Sequence, residues 1–263
     1  MVTRRSYNQY CGIARALDLI GERWGLLVVR ELVLGPKRFT DLRHGLPGIA
    51  TNVLSQRLRE LEQDGVVARR RLPPPAASDV YELTEYGEEL VPIMLALGRW
   101  GARTMGARSP EQTLRPEWLA VALQAYYQPR AAKGLSARIR LDLGDAAFTV
   151  HLRRGRLDIV PGAFGPADLT IAADPDTLVG FLAGAPVHLE AEGDRELLER
   201  LPAIFAFGLQ KAGGLETRER AARVPQAPEH ERDEERGAGD DRHDDEAADA
   251  RGEQRRQAQR GSS

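Results

Sequence analysis

Pro47 to Arg71 reads PGIATNVLSQRLRELEQDGVVARRR. Wound at about 100° per residue, Leu54, Leu58 and Leu61 fall on one stripe between Thr51 and Gln63, the i, i+4, i+7 spacing of a helix packed on a core. The opposite side carries Asn52, Gln56 and Arg59, with Thr51 and Ser55 beside them. A plainly solvated face fills with Glu and Lys in i,i+4 pairs, whereas here Glu60, Glu62 and Asp64 come only near the end. Asn and Gln can bond adenine through two hydrogen bonds, Arg can do so to guanine, and Ser or Thr to either. The face is therefore either a reader of base edges or an ordinary wet surface, and its neighbours must decide.

Those neighbours favour reading. Cys11 to Ile20, Trp24 to Leu34 and Phe39 to His44 have helical patterning, punctuated by Gly35-Pro36 and by Gly45-Leu46-Pro47-Gly48. Val66 to Leu72 and Asp79 to Leu83 read as two strands around a loop too rich in proline to pair as sheet. A short helix, a glycine turn and a second helix make a helix-turn-helix, and strand, loop, strand make a wing. Lys37, Arg38 and Arg43 lie around the first of those helices, and Arg69, Arg70 and Arg71 lead into the wing, where phosphate contacts flank a helix seated in the major groove. Arginine runs on strands are often merely solvated; it is the combination that points to DNA.

Thr84 is placed to cap a longer helix, with Glu85 and Glu88 at its positive end. On that helix Leu90, Ile93, Met94, Leu97 and Trp100 form a broad apolar stripe, more than a small wing can cover. It suits a two-fold dimer, and burial against a second domain is the competing use.

The whole chain, 263 residues with 42% hydrophobic and 29% charged side chains, has globular composition and length for two modest domains. The formal net charge of -2 is unevenly spread: residues 37–71 carry eight Lys or Arg against four Asp or Glu, while the tail is rich in acids. No apolar run reaches membrane-spanning length, and residues 1–10 lack the apolar stretch of a signal peptide, so a cytoplasmic location is expected. A single cysteine, Cys11, excludes an internal disulfide and a cysteine-cluster metal site. From about Glu111 the period changes to two: Ala137, Ile139, Leu141 and Leu143 alternate with charged residues, Phe148 to Leu152 and Arg156 to Val160 resemble a hairpin, and Asp168 to Ala172 and Val187 to Ala191 add strands. Asp174-Pro175 and Gly193-Asp194 read as helix starts. The fold class expected is α+β: a winged helix-turn-helix over residues 1–109, an α+β sheet domain over 110–212, and a disordered charged tail over 213–263, too poor in apolar residues to offset its ordering entropy.

Cys11, Ala16-Leu17-Asp18-Leu19-Ile20-Gly21, Trp24-Gly25-Leu26-Leu27, Arg30-Glu31-Leu32, Arg38-Phe39-Thr40-Asp41-Leu42, Leu46-Pro47-Gly48-Ile49, Leu54 to Leu61, Asp64-Gly65-Val66-Val67 and Tyr81-Glu82-Leu83-Thr84 occur in order. With that series, residues 11–101 resemble the HxlR family of bacterial winged-helix transcription regulators. The resemblance implies a homodimer on an inverted repeat in promoter DNA, commonly a repressor. It departs at two places: Ala50 stands where the family often has Ser, which moves the expected N-cap to Thr51, and Gly12 replaces the usual Pro after the cysteine. In some relatives that cysteine senses oxidants or electrophiles, so Cys11, at a helix N-terminus near Arg4 and Arg5, is a candidate redox site as well as a candidate inert thiol.

The second domain is similar to the sterol-carrier-protein-2-like fold through Ala167-Asp168-Leu169-Thr170-Ile171, Asp174 to Gly184 and Glu190-Ala191-Glu192-Gly193-Asp194. That similarity implies an apolar cavity, for which Phe181, Leu182, Leu197, Leu198, Ile204 and Phe205 are the candidate lining, with ordinary core as the alternative. The five histidines are scattered and neither a phosphate loop nor a nucleophile elbow occurs, so no enzyme, no cofactor and no metal are expected. The rival to a DNA-binding regulator is a lipid or small-molecule carrier whose winged helix mediates protein contacts.

Overall fold

The leucine stripe of the opening stretch does what its spacing requires: Leu54, Leu58 and Leu61 are 0%, 1% and 2% exposed on α4 (Thr51–Gln63). The computed structural model describes residues 6–106 and 108–207; the expectations for Arg4, Arg5 and the charged tail lie outside the described residues. Against those leucines pack Val28, Val29 and Leu32 of α2 (Gly25–Leu32), Leu42 of α3 (Phe39–Gly45), and Leu46 and Ile49 from the turn. Burying three leucines removes about 1.5 to 3 kcal/mol each of apolar exposure, which locks the rotation of α4 about its axis. α1 (Gly12–Ile20) packs on α4 and leaves Ile13 and Leu17 exposed. The N-cap of α4 is Ala50, not Thr51 as its side chain suggested: Ala50 has extended backbone and its carbonyl accepts from Leu54 N–H at 3.0 Å, so Thr51 already lies in the first turn. Gly48, at φ +84°, makes the turn between α3 and α4 that a side chain would strain.

β1 (Val67–Arg71) and β2 (Asp79–Leu83) pair antiparallel with Val67 opposite Leu83 and Arg71 opposite Asp79. A third segment joins them: Lys37 N–H donates to the Tyr81 carbonyl at 2.9 Å and Tyr81 N–H to the Lys37 carbonyl at 2.8 Å. Thr84 accepts from Gly87 N–H at 3.0 Å, as its cap position predicts, but the helix it starts is only α5 (Glu85–Glu88). Pro92 has no N–H for the Glu88 carbonyl, and the chain turns at Glu89 before resuming as α6 (Leu90–Ala102).

The second domain begins with α7 (Pro116–Tyr126), a helix the sequence patterning left unassigned although Pro116 sits at its first turn. A five-stranded sheet follows in the order β5-β4-β3-β6-β7, from β3 (Ser136–Leu143), β4 (Ala146–Arg153), β5 (Arg156–Pro161), β6 (Leu169–Ala172) and β7 (Glu190–Gly193). Only β3 and β6 run parallel; α8 (Pro175–Leu182) and α9 (Arg195–Ile204) are capped by Asp174 and Asp194, which accept from Thr177 and Leu197 N–H at 3.0 Å each. The last strand lies two to three residues later than Val187 to Ala191, because pairing sets Ala191 opposite Ile171 while Val187 still belongs to the turn after α8.

Inward residues of β3 and β4 join α7, α8 and α9 in a second core. The six residues expected to line a ligand cavity belong to that core instead: Leu182, Leu197, Ile204 and Phe205 are buried within it, and Phe181 and Leu198 pack against it. Close packing of both helices on the sheet uses those side chains up. A cavity of about 470 Å³ opens elsewhere, between Leu32, Pro36, Leu83, Val91 and Gln124. Replacing Leu58 by Ala in the first core is expected to lower unfolding free energy by about 2 to 5 kcal/mol, read from the urea midpoint; a midpoint unchanged from the parent contradicts the packing described.

Candidate nucleic-acid interface

With its leucines buried, α4 turns the other side outward. Thr51, Asn52 and Arg59 are exposed, and Ser55 and Gln56 half-buried. Their bonds run along the helix itself: Gln56 Nε2 donates to Glu60 Oε1 at 3.0 Å, and Arg59 Nε to the Ser55 carbonyl at 3.2 Å. The Arg59 bond is exposed and the Gln56 bond part-buried, and both close within the helix. Arg57, between the two faces, is instead held by Glu60 at 2.6 Å.

Around α4 the basic residues divide into more exposed and more engaged ones. Arg38 is the N-cap of α3, its backbone N–H bound to Asp41 Oδ2 at 3.1 Å and its side chain exposed; Arg43 is exposed in the last turn. Lys37, expected as a phosphate contact, gives its ammonium to the buried carboxylate of Glu31 at 2.7 Å. On the wing, Arg69 meets Asp79 at 2.6 Å and Arg70 binds Glu82 through two bonds of 2.8 Å, whereas Arg71 is 73% exposed and 4.0 Å from Asp79. The hydrogen bond from Arg69 holds the Asp79 carboxyl below the usual range, and that from Arg70 does the same for Glu82.

Glu31 is the site residue that the sequence reading passed over. At 2% exposure it accepts from Arg30 at 2.9 Å, Lys37 at 2.7 Å and Trp118 Nε1 at 2.8 Å. A Cβ on Gly45 would overlap its carboxylate, so the end of α3 closes directly over it. One signal was available: an acid set among Val28, Val29 and Leu32 on an otherwise apolar helix.

On α6 the five stripe residues part company. Leu90 and Met94 pack against the first core, while Ile93, Leu97 and Trp100 are 61%, 47% and 69% exposed. α7 covers another flank of α6, where Arg99 Nη1 donates to the Ala125 carbonyl at 2.9 Å. Cys11 is the exposed N-cap of α1, and the Ala14 and Ile13 backbone N–H groups draw its thiol below the ordinary value. Among the described residues no group of His, Cys, Asp and Glu is arranged to hold a metal ion, and no helix is long and apolar enough to cross a membrane.

A helix-turn-helix pair, a charged two-stranded wing and flanking arginines define a winged helix-turn-helix fold. Residues 19–109 match the profile of the HxlR-like helix-turn-helix family. The HTH-type transcriptional regulator YvaP of Bacillus subtilis is 38% identical over 86 residues, 33% of this chain and 80% of that protein. YodB of the same organism is 38% identical over 85 residues, 32% of this chain and 76% of its own length. Among solved structures, the redox regulator HypR in its oxidized form is similar at 35% identity and TM-score 0.35, over 37% of this chain and all of that one. The chain belongs to the HxlR-like helix-turn-helix family, carried by its first domain.

Asp79 and Glu82 have depressed folded pKa values, so their contribution to the wing is present above the unfolded values near 4 and fades as pH falls through the folded ones. Cross-strand NOEs between residues 67–71 and 79–83 are expected to persist at neutral pH and weaken below about pH 4; a wing indifferent to pH down to about 2 contradicts the role of these pairs.

Proposed function

We propose that this protein is a DNA-binding transcriptional regulator whose α4 reads base edges in the major groove. One observation carries the reading: Thr51, Asn52 and Arg59 of α4 are exposed, and among the described residues the side-chain bonds of Gln56 and Arg59 stay within the helix. In this reading residues 1–109 bind DNA and dimerise, residues 110–212 support them, and Thr51, Asn52, Ser55, Gln56 and Arg59 face the bases. Arg38, Arg43 and Arg71 meet phosphate directly. Arg69 and Arg70 do so by exchanging their wing carboxylates, and Lys37 acts from behind, through Glu31.

A second copy of the chain is the proposed cover for Ile93, Leu97 and Trp100, since exposed side chains of that size on one helix favour self-association. Paired α4 helices then meet half-sites about 34 Å apart, or a multiple of that, in an inverted repeat. A dimer seated across a promoter obstructs transcription, which makes repression the proposed sign. An exposed, acidified thiol at Cys11 supports control by oxidants or electrophiles. Control by an apolar ligand loses its motive, because the candidate lining is packed core.

Asn52→Ala, Gln56→Ala and Arg59→Ala are each expected to lose about 1 to 3 kcal/mol of discrimination between the preferred duplex and a base-substituted one, measured by fluorescence anisotropy. Arg38→Ala should weaken all duplexes alike and flatten the salt dependence. Full affinity and selectivity in all four variants would sink the assignment. Light scattering at micromolar concentration should give twice the 29.0 kDa chain mass, falling to the single mass in Trp100→Glu.

A further inference from the structure

Helix α7 lies beyond the residues matched to the family, yet it delivers two side chains into the winged helix. Arg115, its N-cap, donates Nη1–H to the His44 carbonyl at 3.2 Å, in the last turn of α3. Trp118, in its first turn, donates Nε1–H to Glu31 Oε1 at 2.8 Å, and the Arg30 guanidinium lies 4.1 Å from its ring centroid. The other oxygen of Glu31 holds Lys37, whose backbone is the bridge to Tyr81 on the wing. The same carboxylate fills the space over Gly45, where α3 ends and the turn into α4 begins. One buried acid thus touches the three parts whose relative placement decides how α4 and the wing meet a groove.

The apolar core of the first domain is built without α7: its buried members run from Val28 to Val67, and the partly buried side chains packed on them from Ile20 to Met94. Trp118 is therefore not needed for that core to close. What it adds is the third donor to a carboxylate in a low-dielectric setting, where each bond is strengthened and each missing one is costly. Without it, Oε1 keeps Arg30 alone, and the acid is free to swing with Lys37 and the wing bridge.

We infer that Trp118 is a positioning residue for DNA reading: through Glu31 it sets the wing and the end of α3 relative to α4, so that the second domain governs operator selectivity. This rests on the DNA-binding reading above. Anything that lifts α7 from the first domain then weakens recognition without unfolding it.

The test uses the full chain with Trp118→Phe, which keeps an aromatic ring though a smaller one and loses the N–H, and a duplex selected by the parent protein from a randomised pool. Affinity for that duplex should fall about tenfold while a scrambled duplex of equal length binds as before. Hydrogen exchange at the Lys37 and Tyr81 amides should accelerate more than at the buried amides of α4, with a single cooperative thermal transition retained. In a Glu31→Leu background, which has no acceptor for the indole N–H, the tryptophan substitution should add nothing further to the exchange at Lys37 and Tyr81. Parental selectivity in Trp118→Phe, or unchanged exchange at Lys37 and Tyr81, overturns the inference. If the parent selects no duplex at all, the DNA-binding reading fails by itself, and amide exchange alone decides whether Trp118 positions the wing.

Discussion

Burial of Leu54, Leu58 and Leu61 is the constraint on which the rest of the first domain depends. A helix of 13 residues has one rotational freedom about its axis, and three leucines at 0–2% exposure remove it. Asn52, Gln56 and Arg59 face outward because any other rotation would carry a leucine into water at a cost of about 1.5 to 3 kcal/mol each. Presentation of the polar face is therefore a consequence of the core, and needs no bond made by the polar residues themselves.

Electrostatics divide the surrounding basic residues by depth. At the surface, Arg69 and Arg70 form pairs with Asp79 and Glu82 that shape the wing while leaving the guanidinium groups accessible to a stronger anion such as phosphate. Below it, Glu31 takes two cations and an indole N–H at once and so ties helix, wing bridge and second domain to one point. A buried carboxylate of this kind is costly to leave short of hydrogen-bond donors. Its position where α2, the Lys37 bridge to the wing and α7 meet gives that demand a geometric effect.

The helix after the wing shows how one apolar stripe serves several masters. Leu90 and Met94 close the first core, α7 covers an adjoining flank, and Ile93, Leu97 and Trp100 remain on the surface. Contact with the second domain thus has side chains of its own, apart from the three large apolar residues that stay exposed. Had α7 covered the whole helix, the motive for self-association would vanish.

Local chemistry was legible in the sequence. The 3.6-residue period placed α4 from Thr51 to Gln63, the two-residue period placed β3 and β4, and Asp174, Asp194 and Thr84 acted as the caps their hydroxyl and carboxylate groups suit. Each depends on neighbours within a few residues. Tertiary structure decided what depends on distant partners: the engagement of Lys37, the packing of Phe181 and its neighbours into core, the register of β7 against β6, and the bond from Trp118 to Glu31 across 87 positions of chain. Periodicity specifies which side of an element is buried, because that follows from backbone geometry alone. It carries no information on which remote group comes to lie against that side, which only the folded packing of both domains fixes.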